Sequence, residues 1–284
     1  MNSKGYLSEI FSSLQGEGGT VRGSCFGKRQ IFIRFAGCNI ANNAFNSKGC
    51  IWCDTAEAQN FTPKEYHYED LPGSQQFKIK KNPAHVDQLI EIFDKLKTPD
   101  LHSICFTGGE PLCQLEYLLL TAKTIKEQGI DYPLYLETNG SIRPNDTQIK
   151  QLSSLFEYCC CDIKDRPSNA SMIDQWKNLI DIELEFIKLF AINDVNVFAK
   201  IVVTNETEIG DIKWISKSLS EIKYTDGNSV GLAIQPAYFE ITELTARYNI
   251  SHDHLNHMFY AAAKYLKPNC LTLSIQAHKF LNLL

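Results

Sequence analysis

The sequence contains no run of about 18 apolar residues, which excludes a membrane-spanning helix of ordinary length. It has no basic excess. Its 28 Lys and Arg face 33 Asp and Glu, for a net charge of −5, whereas proteins that grip nucleic acid mainly through charge carry surplus cations. No internal repeat, low-complexity tract or composition break divides the 284 residues, so a single α/β domain over 1–284 is expected. The opening Met-Asn-Ser-Lys-Gly-Tyr-Leu lacks the apolar stretch of a secretory signal. A soluble, cytoplasmic protein with no nucleic-acid or membrane partner is therefore expected. Disorder is excluded by the material for a core, since 44% of residues are hydrophobic and 11% aromatic.

Runs rich in β-branched and aromatic residues predict strands at 30–36, 103–106, 133–137, 156–162, 197–203, 230–235 and 270–275. Between them, helices are expected at 84–97, 112–128, 147–154, 172–182, 208–223 and 251–266. The first has Val86, Leu89, Ile90, Ile92 and Phe93 on one side and charge on the other. Near-continuous apolar strands alternating with helices indicate a parallel sheet covered by helices. Six or seven such units fit a complete or partial (β/α) barrel better than a flat sheet. Polar segments at 55–83 and about 165–195 read as insertions or long loops.

What the chain does have is ten cysteines. In a reducing compartment these suggest metal or cluster ligation, catalysis or burial rather than disulfides. Only Cys38, Cys50 and Cys53 have ligand-like spacing, C-x11-C-x2-C, in a loop at 37–55 directly after a strand. Loops after barrel strands are where active sites are built. Three thiolates leave a fourth metal position without a protein ligand. The spacing alone leaves zinc and an iron–sulfur cluster both open. Cys105, Cys159, Cys160 and Cys161 fall within strands, where thiols pack as small hydrophobes, and Cys25, Cys113 and Cys270 receive the same reading. His252, His254 and His257 mark a solvated helix start rather than a metal site, because no acidic or Cys cluster accompanies them.

One strand after the cysteine loop, Phe106-Thr107-Gly108-Gly109-Glu110-Pro111 ends a strand and opens a helix at a proline suited to the first turn. The two glycines let a ligand approach the backbone, and Glu110 can accept from an ammonium group. Three cysteines followed by this turn resemble the radical S-adenosylmethionine (SAM) superfamily. Further pieces are similar to the 7-carboxy-7-deazaguanine synthase family: Gln15-Gly16-Glu17-Gly18, Phe32-Ile33-Arg34-Phe35-Ala36-Gly37-Cys38-Asn39, and Cys50-Ile51-Trp52-Cys53-Asp54-Thr55. Glu137-Thr138-Asn139-Gly140, Asp162-Ile163-Lys164, Gln235-Pro236 and Ala277-His278-Lys279 follow in order. The C-x11-C spacing departs from the usual C-x3-C-x2-C of the superfamily, in a family that tolerates long cluster loops.

The resemblance implies a partial (β/α)6-type radical SAM barrel with an expanded cluster loop. It implies a 4Fe–4S cluster on Cys38, Cys50 and Cys53, with SAM held by Trp52, Cys53, Asp54, Gly109, Glu110, Asp162, Ile163, Lys164, Gln235, Pro236, Ala237 and Tyr238. It also implies Mg²⁺ on Thr55. The implied substrate, 6-carboxy-5,6,7,8-tetrahydropterin, would meet Leu14, Gln15, Gly16, Glu17, Arg34, Thr107, His278 and the terminal Leu284. The product would be 7-carboxy-7-deazaguanine, with ammonia lost, and the cluster and the SAM radical would be the only catalytic groups. Arg suits the substrate's carboxylate because its planar fork makes two parallel hydrogen bonds. A flavodoxin- or ferredoxin-type reductant and a homodimer are further expectations. A glycyl-radical activase and a non-enzymatic zinc-binding protein are the competing readings. The first favours a short cysteine loop, and the second would be colourless where a cluster is brown.

Overall fold

The computed structural model describes residues 3–238 and 249–281. Twelve strands and seven α-helices follow one another among them. In chain order the strands are β1 (Lys4–Gly5), β2 (Leu7–Leu14), β3 (Arg29–Phe35), β4 (Glu65–Glu69), β5 (Phe77–Lys81), β6 (Ala84–His85), β7 (Leu101–Gly108), β8 (Leu134–Thr138), β9 (Tyr158–Ile163), β10 (Asn196–Val203), β11 (Leu232–Pro236) and β12 (Leu271–Leu273). The helices are α1 (Val86–Leu96), α2 (Leu115–Glu127), α3 (Asp146–Leu155), α4 (Trp176–Ile192), α5 (Ile209–Glu221), α6 (His252–Ala262) and α7 (Ala277–Leu281). No helix of the described residues is long and apolar enough to cross a membrane.

Ten strands form one sheet in the order β12-β11-β10-β9-β8-β7-β3-β2-β4-β5. From β12 to β3 every neighbouring pair is parallel, as strand–helix–strand units require. The expected parallel sheet is thus present, and it is extended. β2 joins it antiparallel to β3, and the β4–β5 hairpin forms its far edge. β2 escaped prediction because Leu7-Ser-Glu-Ile-Phe-Ser-Ser-Leu14 mixes polar and apolar residues. The β4–β5 hairpin occupies much of the segment read as a polar insertion at 55–83. In the 165–195 segment, α4 runs ten residues beyond the predicted end at 182 and supplies the β9–β10 crossover.

Side chains along a strand alternate between faces, and here that alternation separates two environments. Ile31, Ile33, Ile104, Phe106, Leu134, Leu136, Val197, Ala199, Leu232 and Ile234 belong to the large core shared with the helices. Their neighbours Phe32, Cys105, Tyr135, Cys160, Phe198 and Ala233 form a second apolar cluster with Phe11, Val21 and Cys25. The sheet curls around this inner cluster. Gly18 N–H donates to Ser274 Oγ (2.8 Å), and Thr20 N–H to Thr272 Oγ1 (3.2 Å), so the segment after β2 spans from one side of the sheet to β12. The outcome is a partial barrel, open between its edges. At the C-terminal ends of its parallel strands, the inward positions change from apolar to polar and surround one cavity.

Candidate active site

The cysteine loop leaves β3 through Gly37, whose left-handed φ of 91° and lack of a side chain are both used. A Cβ there would lie 2.6 Å from the Phe61 ring. Two short 3-10 turns follow, at Ile40–Asn42 and Ala44–Asn46. Hydrogen bonds to neighbouring segments seat the loop. Asn39 Nδ2 donates to Ser141 Oγ (2.8 Å), and Ser47 Oγ to the Asn169 carbonyl (2.6 Å). Ile51 N–H donates to the Ser168 carbonyl (2.9 Å), and Met172 N–H to that of Phe45 (3.0 Å). Beneath it, Ile40 is buried with Ala170 and Leu179, and Cys38, Phe45 and Cys50 pack against them.

Cys38, Cys50 and Cys53 all line the cavity, and Cys50 feels the charge of the other two. Burial pushes the Cys50 thiol up to about 11, Lys164 opposing it, so loading with iron must expel protons. The donor set fits an iron–sulfur cluster: three thiols, and an open side toward the cavity where a structural zinc would want a fourth protein ligand. Among the described residues, the cavity's other sulfur or ring-nitrogen donors are Cys160 and His278. Cys160 lies two residues before Asp162 on an inward-facing row and is driven well above its ordinary value by burial. His278 stands instead beside Glu17 and Asp54.

The Gly108–Gly109 turn has a tighter purpose than approach to a ligand. A Cβ on Gly108 would come within 2.2 Å of the Phe35 carbonyl oxygen, and one on Gly109 within 2.3 Å of that of Gly37. Gly109 N–H bonds Phe35 O (3.0 Å) and Glu110 N–H bonds Gly37 O (2.7 Å). The glycines therefore lock this turn to the root of the cysteine loop. Glu110, fully buried, accepts from Leu112 N–H (2.9 Å), Thr138 Oγ1 (2.8 Å) and Asn139 N–H (2.7 Å). Burial raises its pKa against these donors. A carboxylate has about four acceptor positions, so one remains for an incoming ammonium.

Across the cavity, Gln15 Nε2 donates to Gln30 Oε1 (3.1 Å) and Glu137 Oε1 (2.7 Å), while Thr107 Oγ1 donates to Glu137 Oε2 (2.7 Å). Arg34 donates from Nε to Glu9 (3.1 Å) and lines the cavity, its guanidinium 5.5 Å from the Phe11 ring centre. Gly16 lies against α7: a Cβ would meet His278 Nδ1 at 2.7 Å, and Ala277 N–H bonds the Gly16 carbonyl (3.0 Å). Glu17 pairs with Lys200 and accepts from Gln235 Nε2 (3.1 Å). Burial would raise the Glu17 carboxyl, but Lys200 and, less strongly, His278 bring it down to about 2. Lys164 pairs with Asp162 at 2.6 Å.

Of the residues singled out from the sequence, all but two line this one cavity. Pro236 lies instead at the end of the β10–β11 ladder, in register with Val203, because it ends a strand and its neighbours Gln235 and Ala237 take the lining positions. Leu284 lies outside the described residues. Cys25, Cys105, Cys159, Cys160, Cys161 and Cys270 are buried thiols, and Cys113 is half-buried. His252 bonds Asn256, and His254 Nε2 lies 2.9 Å from the Thr207 carbonyl. Glu137 stood in a family motif without a role, and Lys200 stood in none; both line the cavity. The available signal for Lys200 was a single charge inside Asn-Val-Phe-Ala-Lys-Ile-Val-Val, on the inward phase of the strand.

The model of a 4Fe-4S single cluster domain matches residues 14–177. A 7-carboxy-7-deazaguanine synthase of Thermococcus kodakarensis is 35% identical over 98% of this chain and 98% of its own length. One from Methanocaldococcus jannaschii is 34% identical over 98% of this chain and 100% of its own. A domain of pyruvate-formate lyase-activating enzyme from Bacteroides vulgatus aligns with 61% of this chain and 98% of that domain, at 17% identity and a TM-score of 0.46. Full-length matches of this identity, on a chain whose three loop cysteines and Arg34 line one cavity, place it: the chain belongs to the 7-carboxy-7-deazaguanine synthase family of radical SAM enzymes.

Proposed function

We propose that this chain converts 6-carboxy-5,6,7,8-tetrahydropterin to 7-carboxy-7-deazaguanine with loss of ammonia, in 7-deazapurine biosynthesis of the queuosine type. One observation carries the reading: a single cavity is lined by three cluster-competent thiols, by the Arg34 guanidinium and by the Glu17 and Glu137 carboxylates. The bound cluster and SAM would together supply one-electron, hydrogen-abstracting chemistry. The protein's share is to bind, orient and exclude water.

Cys38, Cys50 and Cys53 hold the cluster. Glu110 offers its remaining acceptor position to the SAM ammonium, and Asp162, Ile163, Lys164, Gln235, Ala237 and Tyr238 line the rest of the cofactor's place. Arg34 takes the pterin carboxylate through its free guanidinium nitrogens. Glu17 and Glu137 accept from the pterin's amino and ring N–H donors, with Gln15 fixing their spacing. Thr55 is the Mg²⁺ ligand. It stands at the start of the 3-10 turn Ala56–Gln59, where its hydroxyl makes no capping hydrogen bond. Its one recorded contact is with Cys53 Sγ at 3.9 Å, to which the hydroxyl can donate while its lone pairs stay available. That leaves an oxygen for an ion that needs few protein ligands. A one-electron carrier protein, flavodoxin or ferredoxin in type, supplies reducing equivalents. The enzyme is a cytoplasmic homodimer formed from one domain over 1–284.

Anaerobic incubation with SAM, reductant, Mg²⁺ and carboxytetrahydropterin tests the proposal. A product of the mass of 7-carboxy-7-deazaguanine is expected. Cleavage of SAM without that product, or a colourless reconstituted protein, would refute it in favour of an activase or a zinc protein respectively.

A further inference from the structure

β10 carries one charged residue, Lys200, on the inward face between Phe198 and Val202. Its register partner on β9 is Asp162. Its ammonium meets the Glu17 carboxylate, and the two side chains are only 12% and 16% exposed. Glu137 of β8 and Cys160 of β9 are the other acidic groups that act on it, and Lys164 is the neighbouring cation. Glu17 in turn faces His278 of α7 and Asp54 of the cysteine loop. Three carboxylates from three elements thus converge on one ammonium that none of the family motifs contains.

We propose that Lys200 is a positioning residue. It holds Glu17 as an aimed, deprotonated acceptor for the pterin's N–H donors, and joins the pterin half of the cavity at Glu17 and Glu137 to the SAM half at Asp162. The proposal rests on the pterin reading of the cavity. Its physical basis is the cost of burying carboxylates together. Without a cation, burial and mutual repulsion drive one of them to take a proton, and a protonated Glu17 presents a donor where the ligand also has one. Lysine fits the task because it has three donors, no acceptor and a compact charge. Glutamine or serine could hydrogen-bond Glu17 but would leave the carboxylates uncompensated. A merely structural ion pair, stitching the segment after β2 to β10, would also stabilise the fold. It would not set the protonation of a ligand-binding group.

The test compares the parent, Lys200→Met and Lys200→Arg as reconstituted holoenzymes, with 6-carboxypterin as the binding probe and equilibrium dialysis at pH 5.5–7.5. The parent sets the baseline pH profile against which the variants are read. Lys200→Met should retain its iron, bind about tenfold more weakly at pH 7.5, and weaken further as pH falls and Glu17 takes its proton. Lys200→Arg should recover most of the affinity. Thermal melts give a readout free of the pterin: the deficit of Lys200→Met relative to the parent should grow as pH rises, because the unpaired carboxylates then resist ionising in the fold. A deficit that is flat with pH, or arginine and methionine variants of equal affinity, would overturn the role of Lys200. Failure of the parent itself to bind 6-carboxypterin would overturn the pterin reading instead.

Discussion

The backbone N–H of Glu110 donates to the carbonyl of Gly37 at 2.7 Å, so the turn after β7 and the root of the cysteine loop move as one unit. Gly109 sits inside that contact, where a Cβ would meet Gly37 O at 2.3 Å and Ala58 O at 2.6 Å. Both are backbone atoms, so no side chain can swing aside. Gly109→Ala should displace the loop, lower stability by about 1–3 kcal/mol, as overpacking does, and cut iron content after reconstitution by more than half. Iron and sulfide analysis beside a denaturant melt checks this. Full iron content would mean that the turn and the loop are independent.

The cysteines should divide cleanly. Cys38→Ala, Cys50→Ala or Cys53→Ala should each abolish the broad absorbance near 400 nm expected of a cluster. Cys159 is fully buried on the helix-facing side of β9. Cys159→Ala should keep full iron and lose about 1 kcal/mol of stability. Retention of the cluster by any of the first three variants would remove that residue from the ligand set.

Why some of this was readable from sequence and some was not follows from where the information sits. Strands β3, β7 and β10 are runs of apolar residues whose burial on both faces leaves a composition signal. β2 has the same burial, but polar Ser12, Ser13 and Glu9 interrupt its apolar run, and its partners are remote: Ser12 N–H bonds Glu69 (2.9 Å), and Glu9 takes Arg34. The hairpin β4–β5 is an edge, and Lys78, Lys80 and Lys81, spread over both faces of its outermost strand, disguise it as a polar loop. The motif residues announced themselves because each cluster of them is local in sequence. Lys200 did not, since all that gives it meaning — Glu17, Glu137 and Asp162 — lies on other strands and loops.

Asp165 sets a pH dependence on the seat of the cysteine loop. It is almost wholly buried, accepts from the Thr207 hydroxyl, and its carbonyl takes the Ser168 hydroxyl (2.5 Å). Burial, opposed by Thr207, raises its pKa from 3.8 to about 7. A carboxyl harder to ionise in the fold than in the unfolded chain costs nothing below the unfolded value. It then costs progressively more as pH rises toward the folded value, and the loss is complete above about 7. Between pH 5 and 7.5 the parent should therefore lose up to about 2–3 kcal/mol relative to Asp165→Asn, on the usual linkage of about 1.4 kcal/mol per pH unit. Denaturant melts of both proteins across that range measure it. Parallel stability curves would show Asp165 to be ionised in the fold.

Thr55→Ala should spare the cluster and raise the Mg²⁺ concentration needed for half-maximal turnover several-fold. In the proposed role the hydroxyl would be one ligand among several, since Mg²⁺ keeps most of its waters, so activity should fall without vanishing. Thr55→Ser, which keeps the oxygen, should behave like the parent. Because Thr55 makes no capping bond, neither substitution should shift the melting temperature much. An alanine variant with an unchanged Mg²⁺ response would dissociate Thr55 from the ion.

Gly16→Ala probes the closure of the cavity by α7. The added methyl would lie 2.7 Å from His278 Nδ1 and 2.9 Å from the His278 backbone nitrogen, against a helix held there by the Ala277 N–H bond to Gly16 O. The ring could turn away, but the backbone nitrogen cannot, so α7 must lift. Its other ties here are loose: Lys279 reaches Asp54 only at 4.0 Å and lies 5.6 Å from the Tyr238 ring centre, and Phe280 makes an edge contact with that ring. Such ties contribute little, so the shift should cost under about 1 kcal/mol of stability. Cys38, Cys50 and Glu110 are seated by contacts with other segments, so iron content should be unaffected. SAM affinity should change less than carboxypterin affinity, Asp54 and Tyr238 being the SAM-site residues that touch α7. His278 would leave the side of Glu17, and carboxypterin affinity should drop about tenfold or more. Deleting the His278 ring in the same variant discriminates among causes. If Gly16→Ala acts by displacing that ring, His278→Ala should add little on top of it. If the two losses add in full, the methyl acts on the pterin pocket directly and α7 is not the lever.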